Sequence, residues 1–211
     1  MEIVIKPVTS SEDRDAMFRI RQEVFEHEWG IALAQLRMFD EARALNLLAR
    51  VEPAGVESRG HPVAALTVVD TSGDEQLHES YGLSFAPQAR AARYTQLAVL
   101  KPYRGMDIPV RMILEAHHRF VIPSRFDYTW LLFDARRAAS SSLCQWLAFS
   151  SSERAFASEY GFSRSLVRDE NAPRCKRAIQ RVERYFKQCP WLSSLTEPQP
   201  ALQASSASSA S

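Results

Sequence analysis

The stretch that decides the fold is QLAVLKPYRGMDIPVRMIL, residues 96–114. Its first residues end a run that begins at Tyr94 and is rich in apolar, aromatic and β-branched side chains, a composition typical of a buried strand. A turn with proline and glycine follows over residues 101–105. Apolar residues then recur at helical spacing at Ile113, Ala116 and Phe120. The stretch therefore predicts a strand that leads through a tight turn directly into a helix.

Hydrophobic periodicity predicts further elements on both sides of this unit. We expect strands over residues 2–8, 44–51, 63–69, 128–133 and 162–167, and helices over residues 143–157 and 174–186. Ser10 lies three residues before Asp13, a variant of the capping box, and predicts a first helix that ends near Gly30. The strands over 44–51 and 63–69 are expected to pair antiparallel, and residues 71–92 to form a loop with about one helical turn. This order is that of a mixed α/β arrangement in one domain.

The helix after the central turn is predicted to carry a solvent-facing charged side. Arg111, Glu115 and Arg119 are spaced four residues apart, so they can form ion pairs along one helix face. We expect this face to be exposed and the face with Ile113 to be buried.

Composition excludes several classes of protein. Of 211 residues, 45% are hydrophobic and 24% charged, which is ordinary for a globular chain. A net charge of +1 argues against a general nucleic-acid binder. The three cysteines are too few and too scattered for a disulfide framework or a structural zinc site, and we predict no metal. Without a signal peptide or an apolar run long enough for a membrane span, the expected location is cytoplasmic.

The end of the chain differs in composition from the rest. From Ser193 onward it consists mostly of serine, alanine, proline and glutamine. Such a segment cannot bury enough apolar surface to order itself. We therefore predict one domain over residues 1–192 and a disordered tail over residues 193–211.

Residues 96–114 resemble the central motif of the GNAT superfamily of N-acyltransferases. The match lies at Leu97, Val99, Pro102, Tyr103, Arg104 and Gly105. Tyr160-Gly161-Phe162 resembles a second landmark of the superfamily, the Gly-Phe that precedes its final strands. Together with the order of elements, the resemblance covers roughly residues 2–168. It implies a single GNAT-like domain with a mixed, mostly antiparallel central sheet flanked by helices.

The resemblance also implies a binding site for a pantetheine thioester, either acyl-coenzyme A or acyl carrier protein, used as a co-substrate and not as a tightly bound cofactor. The backbone of Leu97, Ala98 and Val99 would bond the pantetheine arm as an added strand does. The loop and helix start that follow would hold phosphate; their candidate residues are Arg104, Gly105, Met106, Asp107 and Ile108. A plain buried strand–turn–helix unit is the alternative.

Two residues depart from the superfamily's phosphate loop. Asp107 and Pro109 stand where the pattern has glycine and a small residue. Asp107 is expected to cap the helix with its side chain and to repel a diphosphate. This weakens the case for coenzyme A and favours a donor with one phosphate, as on a carrier protein.

The first helix resembles that of acyl-homoserine-lactone synthases and N-acyl amino acid synthases. The residues are Arg21, Phe25 and Trp29, which the resemblance places at the substrate, with Asp40 further on. Core packing of Phe25 against Trp29 is the alternative. Because Arg43 stands where the lactone synthases carry a second aspartate, the amino acid synthases are the nearer match. Arg90, Arg93, Arg136 and Arg137 are candidates for a surface that receives an acidic carrier protein.

Amide formation needs a base, and the carboxylate that the superfamily often places before the central motif is absent here. Glu28 and Asp40 are the candidate substitutes, and Tyr160 is a candidate acid. A backbone N–H near Val99 or Leu100 would stabilise the oxyanion. The predicted function is transfer of an acyl group from a pantetheine thioester to the amine of an amino acid or related small molecule. The alternatives are a non-catalytic GNAT-fold module that binds a ligand or partner, and an acetyl-coenzyme A-dependent protein acetyltransferase.

Overall fold

The computed structural model describes residues 2–35, 41–52, 60–134, 146–151, 156–158 and 161–188. Within these ranges eight strands form one sheet: β1 Glu2–Pro7, β2 Ala44–Glu52, β3 His61–Asp70, β4 Ala91–Val99, β5 Tyr128–Asp134, β6 Ser150–Ser151, β7 Phe156–Ser158 and β8 Gly161–Asp169. The helices are α1 Ser11–Arg21, α2 Glu75–Ser80, α3 Ile108–Ala116 and α4 Pro173–Lys187. Wider π-type turns extend α1 over Gln22–Glu28 and α3 over His117–Val121.

The sheet is mixed and mostly antiparallel, as predicted. The strand order is β1-β2-β3-β4-β5-β8-β6, and β7 also pairs with β8. Strands β4 and β5 are parallel, whereas the other described neighbours run antiparallel. The expected antiparallel pairing of β2 with β3 is confirmed. The parallel pair stands in the middle of the sheet, where helices cover both faces.

Helix α1 begins where the capping pattern predicts. The Asp13 N–H donates to Ser10 Oγ at 3.1 Å, which satisfies one of the N–H groups that a helix start leaves without a partner. Ala16, Ile20 and Val24 repeat at helical spacing and are buried against one face of the sheet. The spacing of these apolar residues thus sets which side of α1 meets the strands.

The opposite face is covered by α3 and α4, which contribute to the largest core cluster. All residues of α3 except Pro109 are buried. The predicted solvent-facing side of α3 is therefore wrong: Arg111 is 1% exposed and Glu115 4% exposed. The Arg119 Nε–Glu115 Oε2 pair forms at 3.0 Å as the spacing predicts, but in a partly buried position. Helical periodicity shows one apolar face and cannot show what covers the other.

The helix predicted over residues 143–157 is present at residues 146–147 but wrong for residues 150–151 and 156–157. Residues 150–151 and 156–158 are strands that pair with β8, and the residues between them lie outside the described ranges. Serine-rich sequence has little helical preference of its own, so pairing with a neighbouring strand decides the local structure.

Among the described residues, no helix is both long and apolar enough to span a membrane. The predicted tail and the predicted domain boundary near residue 192 lie outside the described ranges.

Candidate functional site

The site is a gap between the middle strands of the sheet. Strands β4 and β5 pair over only four residues each. The first pair is Ala91 with Tyr128, and the last is Tyr94 with Leu131. Beyond that point β4 continues along β3, up to the pair of Val99 with Ala64, while β5 continues along β8. No register pair joins β4 to β5 past Tyr94 within these fully described strands. We call this gap, between residues 95–99 and residues 132–134, the slot.

A β-bulge at Gln96 accompanies the divergence. Gln96 has a φ of 51°, in the left-handed region, and the register of β3 with β4 shifts beside it. Tyr94 and Leu97 both pack on the α3 side of the sheet, although residues three apart in a regular strand face opposite sides. A bulge bends a strand and increases its twist, which turns β4 away from β5.

The bulge leaves backbone groups of Val99 on the slot side. The Leu100 N–H donates to the Val63 carbonyl at 3.0 Å, so it points toward β3. Backbone groups alternate sides along a strand, and the N–H and carbonyl of Val99 therefore face the slot. Of the two predicted oxyanion donors, the Leu100 N–H already has a partner, whereas the Val99 N–H faces the slot and stays the candidate.

Arg104 lies at the open end of the slot. Its Nε donates to the Val99 carbonyl at 3.0 Å, and its Nη2 donates to Glu28 Oε2 at 2.6 Å. Glu28 is the last residue of the π-type segment that follows α1, so this pair brings the predicted base next to a predicted phosphate ligand. The structure thus joins at the slot two residues that are 76 positions apart in the sequence.

Asp107 behaves differently from the prediction. It occupies the N-cap position of α3 with a φ of 55°, but its side chain makes no capping hydrogen bond. Its Oδ2 accepts from the Tyr185 hydroxyl of α4 at 3.1 Å instead. The left-handed backbone turns the carboxylate away from the first N–H groups of α3 and toward α4. Gly105, with a φ of 85°, and half-buried Met106 complete the loop before buried Ile108.

Solved structures share this architecture. The acyl-homoserine lactone synthase BjaI, solved with SAM and isopentyl-CoA, matches with a TM-score of 0.60 and 13% identity over 86% of this chain and 90% of that one. FeeM, an N-acyl amino acid synthase from uncultured soil microbes, matches with a TM-score of 0.54 and 12% identity over 80% and 90%. NAA60 from Arabidopsis thaliana, in complex with acetyl-CoA, matches with a TM-score of 0.55 and 15% identity over 81% of this chain and 99% of that one. The chain has the GNAT fold. No protein-family model matches the sequence, and no curated protein matches it.

Of the residues predicted at the substrate of this GNAT fold, Phe25 belongs to the core and Trp29 lies at the surface. Phe25 is 1% exposed, packed in the α1-side cluster, and meets Trp29 edge-on at 5.3 Å. Trp29 is 52% exposed, one residue beyond Glu28. Arg21 Nη2 donates to Thr67 Oγ1 at 2.6 Å, and Thr67 lies on β3, opposite the bulge in β4. The packing alternative is therefore correct for Phe25.

Two predicted catalytic residues, Asp40 and Tyr160, lie outside the described residues. Of the predicted carrier-docking arginines, one does not lie on the surface. Arg93 is fully buried, with its guanidinium 4.7 Å from the Tyr81 ring centre and 4.9 Å from that of Trp130. Arg90 lies at the start of β4, away from the open end of the slot, and residues 136 and 137 are outside the described ranges.

The closed end of the slot holds a buried polar network that the sequence pattern did not predict. Arg168 is fully buried on β8; its Nε donates to Glu170 Oε1 at 2.8 Å, and its Nη2 contacts the Tyr94 hydroxyl at 3.5 Å and His117 Nδ1 at 3.3 Å. Thr129 of β5 also donates to Glu170. The network thereby ties β4, β5 and β8 together just where β4 and β5 stop pairing.

The network keeps His117 neutral. Burial, followed by the nearby charge of Arg168, lowers the pKa of His117 to about 3. Its Nδ1 also lies 3.4 Å from Glu170 Oε2, but a neutral imidazole that accepts from Arg168 forms no ion pair there. Arg168 directly follows the predicted strand over residues 162–167, and a charged residue at the end of an apolar strand is the signal in the sequence that points to such a network.

Proposed function

We propose that the protein is a GNAT-type N-acyltransferase that moves an acyl group from a pantetheine thioester to the amine of an amino acid or a related small molecule. The observation that supports this most is the divergence of β4 from β5 past Tyr94. A diverging strand offers unpaired backbone groups to an extended ligand, and the amides of a pantetheine arm pair with such an edge.

The reaction needs few groups, and the slot brings them together. The acceptor amine attacks the thioester carbon; the C–N bond forms, the C–S bond breaks, and the sulfur leaves as a thiolate, which takes up a proton from water to give the thiol. In the tetrahedral intermediate the oxygen carries negative charge, which the slot-facing N–H of Val99 stabilises. The amine loses its proton to Glu28, directly or through water.

Arg104 supplies the cation for the donor. A guanidinium binds phosphate through charge-assisted hydrogen bonds, and Arg104 lies between the slot and the start of α3. The Asp107 carboxylate beside that helix start adds negative charge, which disfavours the diphosphate of coenzyme A relative to a single phosphate. This difference supports a carrier-bound phosphopantetheine as the donor.

The test is thiol release. Purified protein is incubated with acyl thioesters of coenzyme A and of acyl carrier protein, together with a pool of amino acids and small amines. Amine-dependent thiol release with an N-acyl product supports the proposal. The absence of thiol release with every donor would contradict acyltransferase activity.

A non-catalytic binding module is the second candidate. The pairing of Glu28 with Arg104 favours it, because this ion pair neutralises both the base and the phosphate ligand in the free protein. The double variant Glu28→Gln with Asp40→Asn separates the two candidates. An enzyme loses turnover and keeps donor affinity, whereas a binding module has no turnover to lose.

A further inference from the structure

Helix α4 presents an exposed surface that is almost entirely cationic. Its exposed basic residues are Arg174, Lys176, Arg177, Arg181, Arg184 and Lys187. The one acid in α4, Glu183, pairs with His118 Nε2 at 3.0 Å. Because the chain as a whole carries a net charge of only +1, this face concentrates positive charge well beyond the average of the molecule. We call it the α4 basic face.

The α4 basic face borders the entrance to the slot. Tyr185 lies one helical turn from Arg181, next to Arg184, and its hydroxyl donates to Asp107 Oδ2 at 3.1 Å. Asp107 is the N-cap of α3, in the loop that carries Arg104. A partner seated on the last turns of α4 therefore stands beside the loop where the donor phosphate is proposed to bind.

The opposite side of α4 is not available to a partner. Cys175, Ile179, Val182 and Phe186 are buried in the largest core cluster. Insertion into a lipid surface requires an apolar helix side, so α4 cannot act as a membrane-inserting helix. Nucleic acid would match the charge, but it carries no thioester to the slot.

We propose that the α4 basic face is the docking surface for an acidic carrier protein that delivers the acyl-phosphopantetheine group to the slot. This inference rests on the proposed acyl transfer and names the partner for it. It also moves the carrier surface away from the arginines that the sequence suggested, of which Arg93 is buried under aromatic rings. Opposite charge across an interface mainly raises the association rate and sets the choice of partner.

The experiment compares two donors that carry the same acyl group, one on acyl carrier protein and one on coenzyme A. The variant is Arg177→Glu with Arg184→Glu. The matched control is Arg14→Glu with Arg19→Glu, on α1, which is also exposed but lies across the sheet and carries acids and bases in equal number. A second variant, Arg177→Gln with Arg184→Gln, removes charge without reversing it, and thermal unfolding confirms that each variant folds.

We expect kcat/KM with the carrier-bound donor to fall by about tenfold or more in the glutamate variant, and by less in the glutamine variant. With the coenzyme A donor it should change by less than about twofold, and the control should leave both donors unaffected. Salt should lower wild-type activity with the carrier more than with coenzyme A, because exposed charges are screened. Equal losses with both donors, or no loss with the carrier, would overturn the proposal.

A direct titration separates this inference from the proposed function. If no donor supports thiol release, the proposed acyl transfer is wrong. The docking surface is still supported in that case if the wild type binds acyl carrier protein and the glutamate variant does not. Failure of the wild type to bind the carrier overturns it. The same titration is repeated with a DNA duplex and with phosphatidylserine vesicles. If the wild type binds one of these but not the carrier, and the glutamate variant does not bind it, the α4 basic face belongs to that ligand and the proposal is overturned.

Discussion

Arg104 Nη2 donates to Glu28 Oε2 at 2.6 Å at the open end of the slot, and Nε of the same guanidinium donates to the Val99 carbonyl at 3.0 Å. The two side chains are 39% and 21% exposed. A pair that is in contact with water contributes only about 0–1 kcal/mol to stability. The contact therefore matters mainly for where it places the carboxylate and for the charge it neutralises.

Glu28→Gln should abolish most of the turnover without unfolding the protein. The amide preserves the size of the side chain and an oxygen for Arg104 but cannot take a proton, so kcat should fall on the order of a hundredfold to ten-thousandfold. Amine-dependent thiol release measures the loss. Glu23→Gln, an exposed acid on the same π-type segment, is the matched control and should change kcat little. Equal activity in the two variants would contradict the role of Glu28.

Arg104→Met should weaken binding of donors that carry a phosphate. A charge-assisted hydrogen bond is worth about 1.5–3 kcal/mol, so KM for such a donor should rise by roughly tenfold to a hundredfold. A truncated thioester without phosphate should be affected much less. Arg43→Met, which removes an exposed arginine at the far end of β3 near Asp70, serves as the control. A uniform loss across both kinds of donor would instead indicate that Arg104 only supports the fold.

The left-handed backbone at Gln96 predicts opposite effects for two substitutions. Glycine adopts this conformation without strain, so Gln96→Gly should leave the fold intact. A β-branched side chain is strained there, and Gln96→Val should cost about 1–2 kcal/mol or straighten the bulge. Urea unfolding measures the stability, and donor affinity reports on the slot. If the valine variant is as stable as the wild type and keeps its donor affinity, the bulge is not what opens the slot.

His117 predicts a loss of stability in mild acid. Burial holds its pKa at about 3 in the folded protein, whereas an unfolded chain titrates near 6.5. Between these values the unfolded state binds the extra proton, so the free energy of unfolding falls as the pH falls, by up to about 2 kcal/mol from pH 7 to pH 5. Above about pH 7.5 the contribution is constant, because the imidazole is then neutral in both states.

Urea unfolding at pH 7 and pH 5 tests this dependence. His117→Gln, which keeps an acceptor for Arg168, should reduce the pH dependence. An identical pH dependence in the wild type and the His117 variant would show that this imidazole is not the group responsible.

Local sequence was enough to predict the strand–turn–helix unit of residues 96–114, the Ser10 cap and the pairing of β2 with β3. These features depend on backbone preferences and on one apolar face, both of which are encoded in residues close together in the chain. The prediction was wrong for the outer side of α3 and for residues 150–151 and 156–158, because burial by a distant element or pairing with a distant strand overrides a local pattern.

The chemistry of the slot depended on packing. Glu28 became the stronger candidate base because α1 and its π-type extension bring it to Arg104, 76 residues away. Asp107 turned from an expected helix cap into a partner of Tyr185 because its backbone is left-handed. Side chains far apart in the chain meet only when the whole sheet and its helices are assembled, and no local pattern records which of them will meet.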